Sequence, residues 1–561
     1  MRWRAGGTIW RATAAVLAAV AVAATAFALR FNSLGGALGG FDNDHFVHLL
    51  RTDLLLNGEQ PLRDFADAEL RGARPSLGYV TSAWAQQLWG RTLLAEAYLT
   101  VGALALSAAG VFLLALHLSR RWSVALLAAA CVIVSQPKLY NYEKVLMLLV
   151  AAGLVRFWLL RPAWPLAALL AVWTAVAALF RHDFGVYVAV VAGVAMLARG
   201  PAPLTVRLRR VGGYAVLTLL LLLPSIVWVQ QHAGVVVYAQ QALESIRGES
   251  SRTAIGWPRF QIEAGWSDDN LAALVYYTFW LVVIAGALAI VRTLWRRDAK
   301  PEAVATGIAL VAMAAVVNSF FLRGNLFARF GDAIVPIVLL GAWIAGAVGG
   351  EAQRGGLRSP ERWLVTPVRM LPQAVMLLLA AALFVGNEIR VEADAAGLND
   401  PWEQIEKRFI AAKGHLVNLP PQTWGADAPG TMSASRYLAE CTQPTDRVLL
   451  ATYAPEVPVL AGRLVAAGQG TFGLTFYESE AQQRAAVARL EQQSVPVVIG
   501  AYEDFKEEFT DDYRLVYQYV ALHYREAGVI PVDGRPRFRV LVASDRAPRR
   551  VDPLLGLPCF R

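Results

Sequence analysis

The sequence predicts a polytopic α-helical membrane protein with about eleven transmembrane helices, followed by a C-terminal soluble α/β domain. Hydrophobic residues make up 56% of the 561 residues and charged residues 17%, whereas soluble domains carry about 25% charged residues. Long apolar runs recur as far as residue 386, and from residue 387 onward the composition is that of a soluble domain. The predicted domains are therefore residues 1–386 and 387–561.

Eleven apolar runs define the predicted membrane helices. They are residues 12–29, 93–116, 123–135, 145–160, 164–180, 184–198, 211–230, 271–291, 303–321, 332–348 and 370–386. Several are shorter than the roughly 20 residues of a full span, which is typical of a helix that ends in a protein-lined cavity. The first run is long enough to span, so we interpret it as an uncleaved anchor and not as a signal peptide.

The positions of the basic residues predict the orientation. If the N-terminus is cytoplasmic, every cytoplasmic connection is basic, and the opposite connections are mixed or acidic. Under the positive-inside rule, the C-terminal domain then lies outside the cytoplasm, on the extracytoplasmic side of the membrane. The net charge of +9 reflects this topology and does not predict nucleic-acid binding, because the basic residues form no continuous stripe.

The C-terminal domain is predicted from alternating strand and helix patterns. Strands are expected at 447–451, 496–500, 528–532 and 537–543, with helices at 480–493 and near 510–526. This order is typical of a small α/β domain, and it contains no P-loop, GxGxxG or Ser-His-Asp signature. Three cysteines without a CxxC spacing predict no metal centre. Cys441 and Cys559 could pair if the domain lies in an oxidising compartment.

The long outer loop 30–92 contains an acidic segment from Phe41 to Phe65. Leu and Phe residues recur there at helical spacing, which predicts amphipathic helices lying in the membrane interface. Asp42 and Asp44 stand at the beginning of the first of these helices. A carboxylate at this place could act as a general base on a hydroxyl group or hold a metal ion.

Charged residues also stand at the outer ends of later spans. Charge at membrane depth is costly, so such residues pair with one another or line a wet cavity. They lie in the motif YNYEK, in the motif RHD and in the segment RGNLFARFGD, which contains Arg323, Arg329 and Asp332. Arginine and lysine suit a phosphate group. The pattern therefore predicts an active cavity at the outer membrane surface for a phosphorylated lipid donor and a hydroxyl acceptor.

This arrangement resembles the GT-C superfamily of integral-membrane glycosyltransferases, which includes protein O-mannosyltransferases and aminoarabinose transferases. The shared features are an acidic motif and helices in the first outer loop, about a dozen spans and an outer C-terminal domain. Asp44, Gly58 and the segment Pro61 to Phe65 resemble a pattern of that loop, and YNYEK and RHDFGVY are similar to charged motifs of bacterial members. The resemblance implies transfer of a sugar from a polyprenyl-phosphate donor to an envelope glycan, lipid or protein.

The resemblance also implies roles for particular residues. Asp44 would activate the acceptor hydroxyl, and Asp42 would assist it or help to hold a divalent cation such as Mg²⁺ or Mn²⁺. Because this chain has Asp-Asn-Asp where many members have DE or DD, the choice between Asp42 and Asp44 stays open. A WWD-type motif is absent from the sequence, which argues against an oligosaccharyltransferase. The implied substrate- and lipid-phosphate-binding residues are Tyr142, Glu143, Lys144, Arg181, His182, Asp183, Arg323 and Arg329.

Structural explanations of the same residues stay open at this point. Asp42 and Asp44 could cap the helix that follows them, and Glu143 with Lys144 could form an exposed ion pair. Arg181 and Asp183 could be a structural pair at a helix junction. Arg323 and Arg329 could contact lipid headgroups.

Other functions are also possible for a protein of this class. A transporter or flippase of lipid-linked substrates would need polar residues at mid-span and internally related halves, and the sequence shows neither. A non-catalytic membrane scaffold would leave the charged outer loops without a shared purpose. A lipid-linked phosphotransferase would transfer phosphate in place of sugar.

Overall fold

The computed structural model confirms a polytopic helical protein with an additional α/β region. It describes residues 3–35, 41, 43–66, 77–135, 137–200, 202–252, 257–261, 263, 265, 267–295, 300–319, 330–349, 401–417, 430–470, 472, 478–503, 507–532 and 534–561. Ten of the eleven predicted apolar runs are helices, and the eleventh, 370–386, lies outside the described residues. The contacts divide the chain into two compact units.

The first unit comprises Met1–Arg30, Thr100–Gln230 and Val235–Asn399, and apolar helices dominate its described part. All the described helices of this unit, including those that begin or end in the other unit, are α1 (Trp3–Asn32), α4 (Leu93–Ser119), α5 (Trp122–Val134), α6 (Tyr142–Leu160), α7 (Trp164–Phe180), α8 (His182–Ala198), α9 (Leu204–His232), α10 (Val235–Arg252), α11 (Asp268–Leu294), α12 (Pro301–Ser319) and α13 (Phe330–Gly349). Six described helices are long and apolar enough to cross a membrane, namely α1, α4, α9, α11, α12 and α13, and α5, α7 and α8 are shorter apolar helices.

Small residues let the helices of this unit approach closely. A Cβ atom on Gly307 of α12 would lie 2.4 Å from the Trp343 ring of α13, and the same indole donates a hydrogen bond to the Ala303 carbonyl at 3.1 Å. At the α7–α8 junction, a Cβ on Gly185 would lie 2.4 Å from the Ala178 Cβ. Close backbone approach through small residues is typical of helix packing in membranes.

The beginning of α13 is pressed against the segment that leads into α6. A Cβ on Gly331 would lie 2.6 Å from the Pro137 Cα, so only glycine fits there without displacing the backbone. The Arg30 guanidinium also donates a hydrogen bond to the Pro137 carbonyl at 3.1 Å. The short 3₁₀ turn Leu139–Asn141 then leads directly into α6. The first turns of α6 and α13 are therefore neighbours.

The second unit comprises Phe31–Leu99, Gln231–Gly234 and Asp400–Arg561. Its helices are α2 (Asn43–Leu56), α3 (Leu77–Trp89), α14 (Trp402–Leu416), α15 (Gly430–Cys441), α16 (Glu456–Ala461), α17 (Glu480–Leu490), α18 (Glu507–Asp511) and α19 (Arg514–His523). Its strands are β1 (Arg447–Ala451), β2 (Leu464–Val465), β3 (Val497–Ala501), β4 (Tyr524–Val532), β5 (Arg535–Ala543), β6 (Arg550–Val551) and β7 (Pro558–Cys559).

A five-stranded sheet in the order β2-β1-β3-β5-β4 forms the core of this unit. The strands β2, β1 and β3 are parallel, and β5 pairs antiparallel with both β3 and β4. The α/β prediction is confirmed, but the helix expected near 510–526 is two helices, and the second ends at His523. Tyr524 already belongs to β4, because its backbone pairs with Ala543 of β5, and its hydroxyl donates to the Val495 carbonyl.

The first outer loop shares its contacts with the C-terminal segment, although the sequence placed it with the membrane spans. Helix α2 packs against α16 and β2. The Ala66 amide donates to the Gly468 carbonyl at 2.8 Å, and Arg447 forms an ion pair with Glu59. The apolar face of α2, predicted to meet the membrane interface, is buried within this unit, with Phe46 fully buried. Contact of α3 with lipid stays a prediction, and its Trp84 is 63% exposed.

A disulfide bond joins Cys441, the last residue of α15, to Cys559 in β7. Beside it, Arg436 makes two hydrogen bonds of 3.0 Å to the buried carboxylate of Asp552. Burial opposes the charge of Asp552, but the Arg436 guanidinium outweighs it and holds the pKa of Asp552 below its usual value. The Tyr437 hydroxyl donates to the Pro558 carbonyl at 2.7 Å. Together these contacts attach the C-terminus to α15.

Replacing both cysteines, Cys441→Ala with Cys559→Ala, is expected to destabilise the second unit. Loss of a bond between residues 118 positions apart costs about 2–5 kcal/mol in small domains. The measurement is thermal unfolding of the purified protein with and without dithiothreitol. The reductant should lower the melting temperature of the wild type and leave the double variant unchanged. A wild type that is insensitive to complete reduction would contradict this expectation.

Candidate active site

Asp44 lies in the first turn of α2, where its carboxylate contacts the C-terminal part of the same unit. The Tyr453 hydroxyl donates a hydrogen bond to Asp44 Oδ1 at 2.8 Å, and both side chains are half-buried. Asp44 is inside the helix and not at the residue before it, so it is favoured by the helix dipole. Asp42, the other predicted catalytic carboxylate, lies outside the described residues.

The fold explains why Tyr453 reaches Asp44. From β1, the chain passes first to β2 on one side and later to β3 on the other side. The carboxyl ends of β1 and β3 therefore form a topological switch point, where open α/β sheets bind their ligands. Tyr453 comes two residues after the end of β1. Asp44 is thus held at the switch point of the C-terminal sheet.

A buried polar network fixes the helix that carries Asp44. His45 Nε2 lies 3.1 Å from Glu96 Oε1, and the Ser82 hydroxyl donates to Glu96 Oε2 at 2.6 Å. Nearly two turns further along α2, Arg51 donates to the Tyr79 hydroxyl at 2.8 Å. These contacts join α2 to α3 and to the first turn of α4. A carboxylate on a helix anchored in this way has a defined position, as a reacting group requires.

Asp53 on the same helix is an unusual carboxyl group. Burial raises its pKa to about 7, with the negative charge of Glu96 acting in the same direction and Arg91 opposing it. Asp53 therefore holds a proton in the folded protein over a pH range in which a solvated aspartate is ionised.

In the first unit, Lys144 of α6 and Asp332 of α13 form a buried ion pair. Lys144 Nζ lies 2.5 Å from Asp332 Oδ2, and the two side chains are 8% and 5% exposed. Glu143, next to Lys144, is 7% exposed, which excludes the alternative of an exposed surface pair. Tyr142 is buried at the beginning of the same helix.

Arg181 and Asp183 meet at the junction of α7 and α8. Arg181 donates to both oxygens of Asp183, at 3.1 Å and 2.8 Å, and the Phe184 amide donates to Asp183 Oδ1 at 3.0 Å. The carboxylates of Glu143 and Asp332 also act electrostatically on Arg181. The structure thus brings together charged residues from α6, α8 and α13 that the sequence placed in three separate motifs.

The structure describes one of the three remaining predicted site residues, His182, and not the other two. The His182 ring packs 5.8 Å from the ring of Tyr238, measured between centroids. Arg323 and Arg329 lie outside the described residues. Tyr453 was not predicted, and no local pattern marks it, because its role comes from a contact across 409 residues. Asp332 was noted as a charged residue but not assigned to the binding set.

Among the described residues, one cluster of three potential metal ligands stands out, and it does not fit a metal ion. One group of potential ligands, Cys441, Asp552 and Cys559, has its ligand atoms within 4.8 Å of one another. The two sulfur atoms are joined to each other in the disulfide and are not thiolates.

Comparison with known proteins gives similarities of low strength. No family model matches the chain. Two solved structures of ArnT from Cupriavidus metallidurans, one bound to undecaprenyl phosphate and one in the apo state, have a TM-score of 0.47 and 15% identity, over 96% of this chain and 100% of theirs.

A curated protein, the tRNA (guanine-N(7)-)-methyltransferase of Synechococcus sp. (strain CC9311), is 28% identical over 144 residues. The match covers 24% of this chain, and the chain spans only 57% of the length of that protein. Neither similarity establishes an activity.

Asp53 is expected to make the stability of the protein depend on pH. Between about pH 4 and pH 7, the folded protein holds a proton on Asp53 that the unfolded chain has released. Stability should therefore fall as the pH rises through this range and level off above it. The test compares melting temperatures from pH 4 to pH 8 for the wild type and Asp53→Asn. The variant should lack this fall.

Asp64→Asn is the matched control for this experiment. The hydrogen bond from Arg63 holds the pKa of Asp64 below its usual value, so its contribution is present above pH 4 and is lost only as the pH falls further. Asp64→Asn should therefore leave the fall between pH 4 and pH 7 unchanged. Parallel curves for the wild type and Asp53→Asn would show that Asp53 is ionised throughout.

Proposed function

We propose that this protein is a membrane glycosyltransferase of GT-C type that moves a sugar from a polyprenyl-phosphate donor to a hydroxyl group of a cell-envelope acceptor. The observation that carries the proposal is Asp44, a carboxylate on an anchored helix that Tyr453 holds at the switch point of the C-terminal sheet. The proposed site of transfer is the outer face of a bacterial inner membrane.

The chemistry of transfer to a hydroxyl group requires such a carboxylate. The acceptor oxygen attacks the anomeric carbon of the sugar, and the bond from that carbon to the lipid phosphate breaks. The phosphate leaves with the bonding electron pair, and Asp44 takes the proton of the acceptor hydroxyl as a general base. Tyr453 fixes one carboxylate oxygen, which keeps the base oriented toward the reacting atoms.

The location of the C-terminal domain is supported by two independent observations. The disulfide between Cys441 and Cys559 is typical of an oxidising compartment such as the periplasm. The basic residues of the sequence are concentrated in the connections that lie on the other side of the membrane from this domain. Both favour a cytoplasmic N-terminus and a periplasmic C-terminal domain, so the carboxylate of Asp44 would face envelope acceptors.

Asp44→Asn is expected to abolish transfer while the protein stays folded. The amide keeps the shape of the side chain and can accept from Tyr453, but it cannot take a proton, and loss of a general base typically costs about 10²–10⁴-fold in rate. The measurement is transfer of radiolabelled sugar from a panel of polyprenyl-phosphate monosaccharides to envelope extracts.

The matched control is Asp545→Asn, which changes an exposed aspartate of the same unit and should keep full activity. Full activity of Asp44→Asn would refute the assignment of this residue. Absence of transfer from every donor in folded wild type would reject the glycosyltransferase proposal in favour of a transporter or scaffold.

Tyr453→Phe is expected to lower kcat and leave the KM for the donor unchanged, because it removes only the hydroxyl that orients Asp44. A reduction of about tenfold to a hundredfold corresponds to one oriented hydrogen bond. In the Asp44→Asn background, Tyr453→Phe should cause no further loss, since the two residues act as one pair.

Tyr524→Phe provides the control, because it removes a buried hydroxyl that donates to the Val495 carbonyl in the same domain. It should lower the melting temperature without changing kcat. Equal effects of the two tyrosine variants on kcat would mean that Tyr453 has only a structural role.

A further inference from the structure

Three polar side chains in the first unit are buried without the hydrogen bonds that burial normally requires. Asp332 Oδ1, Asn141 Oδ1 and both amide atoms of Asn318 have no hydrogen-bond partner within the described part of the chain. The three residues are 3%, 2% and 1% exposed, respectively. A buried polar atom without a partner is unfavourable and calls for an explanation, such as a ligand that supplies the missing bonds.

The fold places these side chains at the same end of the helices. Asn141 lies between Pro137 and Lys144, and both of these contact the first turn of α13, through Gly331 and Asp332. Asn318 is the second-last residue of α12, which is antiparallel to α13, as the contact between Ala303 and Trp343 shows. The end of α12 therefore lies beside the beginning of α13.

The charges of the described residues at this end do not favour a phosphate group. Lys144 is already paired with Asp332, and Arg181 with Asp183. Glu143, which acts electrostatically on Arg181, adds a further carboxylate. Among the described residues of this group, carboxylates thus outnumber cations, and the described positive charges are balanced by them. An additional anion would gain little here.

The buried atoms of Asn141, Asn318 and Asp332 that lack hydrogen bonds instead match a ligand that carries hydroxyl groups. A carboxylate oxygen and an amide oxygen accept hydrogen bonds, and the Asn318 amide can both donate and accept. Sugar hydroxyl groups also donate and accept, so neighbouring hydroxyls on one ring can satisfy an amide and a carboxylate together. A phosphate without a proton could only accept.

We propose that Asn141, Asn318 and Asp332 form the subsite that binds the sugar of the donor, and that this subsite does not bind the lipid phosphate. The inference rests on the proposed function, and it changes the role that the sequence motifs implied for Lys144. In this assignment Lys144 holds Asp332 in place, and Asp332 Oδ1 accepts from a sugar hydroxyl.

The experiment compares two kinds of ligand on the full-length protein. Polyprenyl phosphate without a sugar and a panel of polyprenyl-phosphate monosaccharides are titrated against the wild type, Asn141→Ala and Asn318→Leu in detergent. For the wild type, at least one monosaccharide should raise the affinity about tenfold over the bare lipid, the effect of roughly one to two net hydrogen bonds. Each variant should lose this gain and bind the bare lipid as tightly as the wild type.

Binding of the bare lipid also shows that the variants are folded. Asn318→Leu should keep or raise the melting temperature of the free protein, because an apolar group replaces an unsatisfied amide. The matched control is Asn270→Ala in the same unit, since the Asn270 amide is buried and fully bonded to Gln261 and Gly265. This variant should lower the melting temperature and keep the preference for the sugar-bearing lipid.

Two results would overturn the inference. One is a wild type that binds every monosaccharide lipid no better than the bare lipid. The other is an equal loss of affinity for both kinds of ligand in Asn141→Ala, which would indicate a phosphate site. These results are independent of the transfer assay: a protein that prefers sugar-bearing lipids but transfers no sugar would retain this subsite and lose the proposed activity.

Discussion

The association of the first outer loop with the C-terminal sheet determines where the candidate catalytic carboxylate lies. The Glu59–Arg447 ion pair and the Ala66–Gly468 hydrogen bond join segments that are about 400 residues apart in the sequence. At Gly468, a side chain would collide with the Asp64 carbonyl, at a distance of 2.6 Å from the added Cβ. The loop can therefore pack in this way only because residue 468 is glycine. Without this contact, Asp44 would have no fixed relation to Tyr453.

A second interaction that constrains the structure is the buried ion pair of Lys144 and Asp332 in the first unit. Removing two charges from water is costly, and breaking such a pair by loss of one partner is typically worth about 3–5 kcal/mol. The pair is consequently weak evidence for stability but strong evidence for a defined arrangement of α6 and α13. Gly331 permits the close approach, and the ion pair then fixes which residues face each other.

The sequence predicted the features that are local and missed those that arise from distant contacts. Apolar runs report helices directly, so ten of the eleven predicted runs coincide with described helices. Asp44 and Lys144 could be proposed as candidates because charge is rare and costly near a membrane. Tyr453 could not be identified, since tyrosine after a strand has many roles, and its partner lies 409 residues away.

The sequence analysis also did not single out the asparagine side chains of the proposed sugar subsite. Asn318 stands near the end of an apolar run, where a polar side chain is itself a signal, but attention to charge alone passes over it. The predicted boundary of α19 was wrong for a further reason: from Tyr524 the backbone pairs with β5, and this tertiary pairing overrides the helical pattern that continues to residue 526.

The two proposals together require different groups of the protein to recognise the sugar and the phosphate of the donor. Lys144 and Arg181 are balanced by carboxylates, so they add little net positive charge for a leaving phosphate. Amide and carboxylate groups can satisfy sugar hydroxyls, whereas a departing phosphate needs unbalanced cations. Arg323 and Arg329, which the sequence places in the connection before Asp332, stay the predicted phosphate ligands. A sugar held by hydrogen bonds to a few amide and carboxylate groups can be replaced by another through a few side-chain changes, while the predicted phosphate-binding arginines would serve every polyprenyl-phosphate donor alike.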